Sequence, residues 1–205
     1  RITFPIQDVQ GRVIAFGGRV LDANRQPKYL NSPETVLFKK RQTLYGLHRL
    51  KQLTSDHVYV VEGYMDVIAL AAHGIHNAVA CLGTAFTAQH WRLLTRYCHK
   101  VYFCFDGDRA GRQAAWQTLQ NILPELKPEK IPFFMFMPDG EDPDSFCGRC
   151  GASDFVDLNS TAQSWDHFFQ HQLTRQHDCN TVSGKAACID EANKLIATMK
   201  HQSLS

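Results

Sequence analysis

The chain has 205 residues, enough for one sizeable domain or one domain with an appendage. Its 44% apolar and 20% charged content is that of a globular protein and excludes a disordered or fibrous one. No apolar run approaches the ~20 residues needed to cross a bilayer, and no basic segment with an apolar core opens the chain, so neither a membrane span nor export is expected.

The net charge of +2 hides an asymmetry. Residues 1–53 carry ten Lys/Arg and three Asp/Glu, whereas residues 54–205 carry twelve and seventeen. A basic front beside an acidic block suits an enzyme that holds a polyanion with metal ions, because phosphates need cations and metals need carboxylates. Chance segregation of solvated charge is the competing reading. Seven cysteines, an odd number, suit free thiols in a reducing cytoplasm better than a disulfide framework. The chain opens at Arg1 and is expected to be a piece excised from a longer protein.

In chain order, Ile2–Ile6 and Arg12–Phe16 flank the turn signal Asp8-Val9-Gln10-Gly11 and predict a hairpin. Gly17-Gly18 is expected to break the second strand, and Pro27 to Pro33 reads as a polar loop. Strands are predicted at Val58–Val61, Ala78–Leu82, Val101–Phe105 and Ile131–Met137. Helices are predicted between them: Met65–His73 ending at Gly74, Thr87–Tyr97 with Thr87 as N-cap, and Ala110–Leu123 stopped by Pro124. Strands alternating with helices imply βαβ units and a mainly parallel sheet. Residues 150–205 read as helical, with Trp165, Phe168, Phe169 and Leu173, and then Ala192, Leu195, Ile196 and Met199, recurring at helical spacing as packing faces.

The strand ends carry the chemistry. Glu62 follows Val58–Val61, Asp106 follows Val101–Phe105 with Asp108 close behind, and Asp142 and Asp144 fall in the loop after Ile131–Met137. Parallel strands end on one edge of a sheet, where open α/β folds bind their ligands, so these five carboxylates are expected to converge. Converged carboxylates repel one another unless cations intervene, and an all-oxygen set without His or Cys suits Mg²⁺ or Mn²⁺ rather than zinc. Helix capping by Asp108 is the competing role for that residue. Glu62 suits a general acid/base or a metal ligand. Cys147-Gly148-Arg149-Cys150 has zinc-knuckle spacing without a second pair, so structural zinc is not expected. His73, His76, His90 and His99 lack ligand spacing and read as surface or packed histidines.

The runs Glu62-Gly63-Tyr64-Met65-Asp66, Asp106-Gly107-Asp108-Arg109-Ala110-Gly111 and Asp139-Gly140-Glu141-Asp142-Pro143-Asp144 together resemble the Toprim domain of primases and topoisomerases. Pro5-Ile6-Gln7-Asp8, Phe16-Gly17-Gly18-Arg19, Lys28 to Thr35 and Leu44-Tyr45-Gly46-Leu47 resemble the bacterial DnaG-type replicative primases. The likeness is dense over about residues 1–146 and weak beyond Cys147. It implies a basic β-rich portion at 1–53, a Toprim catalytic domain at 54–146 with helices flanking a mainly parallel sheet, and a helical subdomain at 147–205, making the whole α/β, or α+β overall.

By that resemblance Glu62 is an acid/base and metal ligand, and Asp106, Asp108, Asp142 and Asp144 hold two or more divalent ions. Arg19, Lys28 and Lys40 line a groove for template and nucleotide phosphates, Tyr29 and Asn31 sit in the same region, and Asp66 is an outer partner. The implied activity is synthesis of RNA primers from ribonucleoside triphosphates on single-stranded DNA, in the cytoplasm at the replication fork. A replicative helicase would bind through a module outside this chain. Arg41 and Gln42 depart from the family's usual glycine and arginine after the lysine, which leaves open which basic side chain meets the nucleotide. A topoisomerase or nuclease of the Toprim type, and a noncatalytic nucleic-acid-binding module, are the alternative readings. The Lys28–Thr35 stretch argues against the first and the full acidic set against the second.

Overall fold

The computed structural model describes residues 1–199 except residues 23, 25 and 54. β1 (Ile2–Gln7) and β2 (Val13–Arg19) form the antiparallel hairpin. Its turn is fixed by Asp8, whose Oδ1 accepts from the backbone N–H groups of Gln10 and Arg12 at 2.9 and 3.0 Å. Gly17-Gly18 does not break β2, which runs through to Arg19. The glycine serves close approach instead: a Cβ at Gly17 would lie 3.1 Å from both Asn31 Oδ1 and the Tyr64 ring. The segment read as a polar loop contains β3 (Tyr29–Asn31), which pairs antiparallel with β2, Gly17 opposite Asn31. Pairing to an existing edge makes this strand, and its three-residue pattern carries too little propensity to announce it.

A 3₁₀ turn at Lys40–Gln42 and the short α1 (Leu47–Leu50) lead into the second sheet. Its strands are β4 (His57–Val61), β5 (Ala78–Ala80), β6 (Lys100–Phe105), β7 (Ile131–Phe136) and β8 (Gln163–Ser164), in the order β5-β4-β6-β7-β8. The first four are mutually parallel. The two-residue β8 adds antiparallel to β7 and interrupts the stretch expected to be wholly helical.

The connecting helices are α2 (Tyr64–Ala72), α3 (Ala88–Leu94), α4 (Arg109–Ile122), α5 (Pro143–Cys150) and α6 (Ala152–Asp157). The last two described elements are α7 (Trp165–Gln176) and α8 (Val182–Ile196). Thr87 caps α3 as expected, its Oγ1 accepting from His90 N at 3.1 Å. Gly74 takes the left-handed conformation, φ +86°, just beyond α2.

Alternation along the strands builds two cores. Val58, Val60 and Phe103 face one side with α3, α4 and α7, through Trp91, Leu119 and Phe168. Tyr59, Val61 and Cys104 face the other with α2, α5 and α6, through Val67, Leu70, Phe146 and Phe155. The fold is therefore a mainly parallel sheet flanked by helices on both faces. Phe103, Phe134 and Phe168 stack in sequence at 5.4 and 4.5 Å between ring centroids, which docks α7 on the sheet. α8 is peripheral: Ala192 and Leu195, with Met199 just beyond the helix, pack part-buried against the core, while Ile196 is 44% exposed.

Candidate functional site

From β4 the chain crosses to β5 on one side, then returns past β4 to β6 and continues outward to β7. The direction of winding reverses between β4 and β6, so their C-terminal ends border the crevice where ligands of open α/β sheets bind. Glu62 and Asp106 are the next residues after those two strands. The Asp106 N–H donates to Glu62 Oε1 at 3.4 Å, bridging the reversal. A crevice of about 430 Å³ opens beside Glu62, floored by Cys81, Phe103 and Phe105.

Asp108 caps α4, its Oδ1 accepting from Gly111 N at 2.7 Å, so the competing capping role is realised. A cap uses one carboxylate oxygen and leaves the other available. Asp142 likewise caps α5, accepting from Ser145 N at 2.8 Å. Asp144, expected in a loop, lies in the first turn of α5, because Pro143 is set for the first helical position. Gly107 lets the ends of β6 and β7 meet: a Cβ there would lie 2.4 Å from Met137 O.

The acidic groups feel one another. Burial raises the Glu62 pKa above the ordinary carboxylate value, and Asp106 and Asp108 raise it further. Burial also raises Asp106, with Asp108 and Asp142 adding to the shift. Asp66, on the first turn of α2, is pushed up to about 6, by burial first and then by Asp142, Asp106 and Glu62, against a lowering hydrogen bond from Gly63 N at 2.9 Å. Glu62, Asp66, Asp106, Asp108 and Asp142 thus share one field. Asp144 instead acts on Cys147, whose pKa burial raises first and Asp144 raises further.

Among the described residues no three His, Cys, Asp or Glu side chains stand close enough to enclose an ion. The set still fits Mg²⁺ or Mn²⁺ in its chemistry. All its donors are hard oxygens, and their mutual repulsion is what a cation relieves. Mg²⁺ characteristically takes one or two carboxylates and completes its shell with water and substrate phosphates.

The basic front meets this edge through Tyr64, the residue after Gly63. The buried Tyr64 ring contacts Phe4 at 5.2 Å, Tyr45 at 5.6 Å and Tyr29 at 5.6 Å edge-on. Arg19 and Lys28 each stand 5.7 Å from the Tyr29 ring centroid. Asn31 Nδ2 donates to Leu82 O at 3.0 Å, tying β3 to the loop after β5. Asn31 Oδ1 and the Tyr64 hydroxyl are buried without a hydrogen-bond partner among the described residues. Arg19, Lys28, Tyr29 and Asn31 therefore gather beside the start of α2.

Lys40 does not join that group through any hydrogen bond, ion pair or ring contact among the described residues. It belongs to a strap over the start of α3, where the Lys40 carbonyl and His90 Nε2 are 2.9 Å apart and Thr87 Oγ1 donates to Arg41 O at 2.8 Å. His90 is a fully buried packed histidine. Sequence reasoning missed Tyr64, the ring that joins the two halves of the site. The signal was an aromatic residue beside the strand-end Glu-Gly.

The raised Asp66 pKa makes stability depend on pH. With folded pKa about 6 and unfolded value near 3.8, Asp66 holds a proton in the folded chain between those values and not in the unfolded one. Its contribution therefore favours folding at low pH, is lost as pH rises from about 4 to about 6, and is flat above. In metal-free buffer Asp66→Asn is expected to stabilise the chain at pH 7.5 by up to about 2 kcal/mol and to have little effect at pH 4. Denaturant melts of both chains at the two pH values check this; an equal effect at both would refute it.

Known proteins resemble this chain in sequence and in fold. Residues 59–147 match the family model Toprim-like, and residues 1–51 match the model for the DNA primase catalytic core, N-terminal domain. A DNA primase of Legionella pneumophila is 48% identical over 97% of this chain and 35% of its own length. The DNA primase of Escherichia coli K12 is 47% identical over 100% of the chain and 35% of its own length. The E. coli primase catalytic core superposes with TM-score 0.93 at 46% identity, covering 98% of this chain and 65% of that structure. A DnaG primase catalytic domain bound to single-stranded DNA superposes with TM-score 0.91 at 46% identity, over 98% and 66%.

The fold and its acidic edge define a Toprim-like protein. With the matched amino-terminal segment, the chain belongs to the family of DnaG-type DNA primase catalytic cores. It spans about a third of the length of the curated relatives it matches. No helix among the described residues is long and apolar enough to cross a membrane.

Proposed function

We propose that this chain is the RNA-polymerising core of a DNA primase. It joins ribonucleoside triphosphates into a short RNA primer on a single-stranded DNA template during DNA replication. The observation that carries the reading is the meeting of Glu62 and Asp106 at the winding reversal, in the field of Asp108 and Asp142, with Arg19 and Lys28 gathered around Tyr29 next door. The DnaG catalytic domain that resembles this chain binds single-stranded DNA, which supports the assignment of the template.

In this reading Glu62, Asp106, Asp108, Asp142 and Asp144 hold two or more Mg²⁺ or Mn²⁺ ions. Such ions, bound there, would supply Lewis-acid chemistry, favouring ionisation of a 3′-hydroxyl and offsetting charge on the phosphates. Glu62, its pKa raised by burial and by Asp106, is suited to accept the hydroxyl proton. Asp66 holds Gly63 through its backbone and so orients Glu62. Arg19 and Lys28 neutralise phosphate charge, and Tyr29 offers them a ring to rest on. Asn31 Oδ1 and the Tyr64 hydroxyl supply buried polar atoms still free to bond a nucleotide or water. Lys40 serves the template from the strap over α3. The chain divides at residues 53/54 and 146/147 into basic, Toprim and helical parts. The protein acts in the cytoplasm at the replication fork, and its replicative helicase binds a module outside these residues.

The test supplies the chain with a short RNA annealed to a longer DNA strand, labelled ribonucleotides and Mn²⁺. Template-dependent extension that disappears in Glu62→Gln is the expected result. Shortening of the DNA strand in place of extension would reassign the chain to the Toprim nucleases.

A further inference from the structure

Beyond the acidic edge, α4 and α7 wall an open groove of about 860 Å³ lined by Arg109, Arg112, Trp116 and Arg175 with three glutamines. Arg109, Arg112 and Trp116 lie on one face of α4 by helical spacing, and Arg175 comes from α7. Arg109 directly follows Asp108, so the groove begins where the acidic edge ends. All three arginines are exposed, and among the described residues no carboxylate pairs with any of them. Arg112 is held over the Phe136 ring at 4.8 Å, which limits its freedom before any ligand arrives. Unpaired guanidinium groups with glutamine amides between them are donors in want of acceptors, and the planar fork suits phosphate.

The form of the polyanion follows from what the groove lacks. Proteins that hold single strands offer exposed rings on which bases stack. Here Trp116 is only 9% exposed and its ring packs against Phe168 and Phe169 at 6.4 and 5.9 Å, while Phe136 is covered by Arg112. A duplex presents its phosphates and keeps its bases paired inside, so it needs charge and no platform. We propose that this groove holds the backbone of the primer–template heteroduplex as it leaves the acidic edge. The proposal rests on the polymerase reading for the identity of the duplex. The phosphate binding itself rests on the groove.

The experiment measures binding of a short fluorescent RNA–DNA heteroduplex, and of its DNA strand alone, across a salt series. The wild-type chain is compared with Arg112→Gln/Arg175→Gln. The double variant is expected to bind the heteroduplex about tenfold more weakly, with a log–log salt slope smaller by about two, one for each phosphate that a guanidinium no longer neutralises. Single-stranded DNA affinity, metal-dependent nucleotide binding and melting temperature are expected to stay near wild type. Arg175→Lys, which keeps the charge and removes the fork, is expected to restore most of the slope. Unchanged heteroduplex affinity and slope would overturn the proposal. An equal weakening for the single strand would overturn it too, by giving the groove to the template. Failure of the polymerase reading looks different: no extension by the wild type, with duplex binding still dependent on the arginine pair.

Discussion

Asp106→Asn is expected to weaken metal-dependent binding of a ribonucleoside triphosphate severely while leaving the fold intact. Asp106 stands at the end of β6, and its backbone N–H, which the substitution keeps, donates to Glu62 Oε1. Among the described residues its carboxylate makes no hydrogen bond or ion pair. What changes is charge. Burial, Asp108 and Asp142 all resist ionisation of Asp106, so the neutral amide relieves a cost in the metal-free chain. Melting in metal-free buffer should therefore be unchanged or slightly higher. Loss of an anionic ligand should weaken Mn²⁺-dependent nucleotide binding by about 100-fold or more, beyond what removal of an outer partner costs. Calorimetric titration with and without Mn²⁺ reads both effects. Binding at wild-type strength in the variant would remove Asp106 from the ion site.

Gly111→Ala is the second substitution with a large expected effect, and it acts through the backbone. A Cβ on Gly111 would lie 2.2 Å from the Asp106 carbonyl oxygen and 3.0 Å from its carbon. Neither group is the free end of a side chain, so the first turn of α4 or the Asp106 peptide must move. The same residue donates its N–H to Asp108 Oδ1 at 2.7 Å, so the shift also breaks the cap. Overpacking and cap loss together are expected to cost about 3 kcal/mol, and displacement of both aspartates should remove metal-dependent nucleotide binding. Gly148→Ala provides the control. Gly148 lies in α5 with nothing within 4 Å of a Cβ, so alanine there should be neutral or stabilising by up to about 1 kcal/mol. Urea unfolding of the three chains separates the cases. Wild-type stability for Gly111→Ala would show that the close approach yields cheaply.

The parts of the site legible in the sequence are those where a strand ends in an acid. β4 and β6 carry the apolar runs Val58–Val61 and Val101–Phe105, which mark them as buried parallel strands, and their adjacency in the sheet makes the following Glu62 and Asp106 neighbours. The Asp8–Gly11 turn was equally plain, because Asp8 and Gly11 are what such a turn requires. The parts that were not legible depend on partners far away in the chain. β3 exists because β2 offers it an edge. Tyr64 matters because Phe4, Tyr29 and Tyr45 converge on it from three earlier segments. Gly111 had a faint local signal, since a glycine inside a helix needs a reason, but the reason is a carbonyl on the preceding strand end. The groove between Arg112 and Arg175 joins residues that no local pattern relates.

On the proposed reading, the acidic edge holds divalent ions against the phosphates of a ribonucleotide. The most direct measurement is anomalous scattering from crystals of the chain soaked with Mn²⁺ and a non-hydrolysable ribonucleoside triphosphate. Two or more Mn²⁺ peaks within about 2.2 Å of oxygens from Glu62, Asp106, Asp108, Asp142 or Asp144, bridged to the triphosphate with Arg19 and Lys28 beside it, are the predicted result. A triphosphate bound elsewhere, or at this edge without Mn²⁺, would show that these carboxylates are not the nucleotide-metal site.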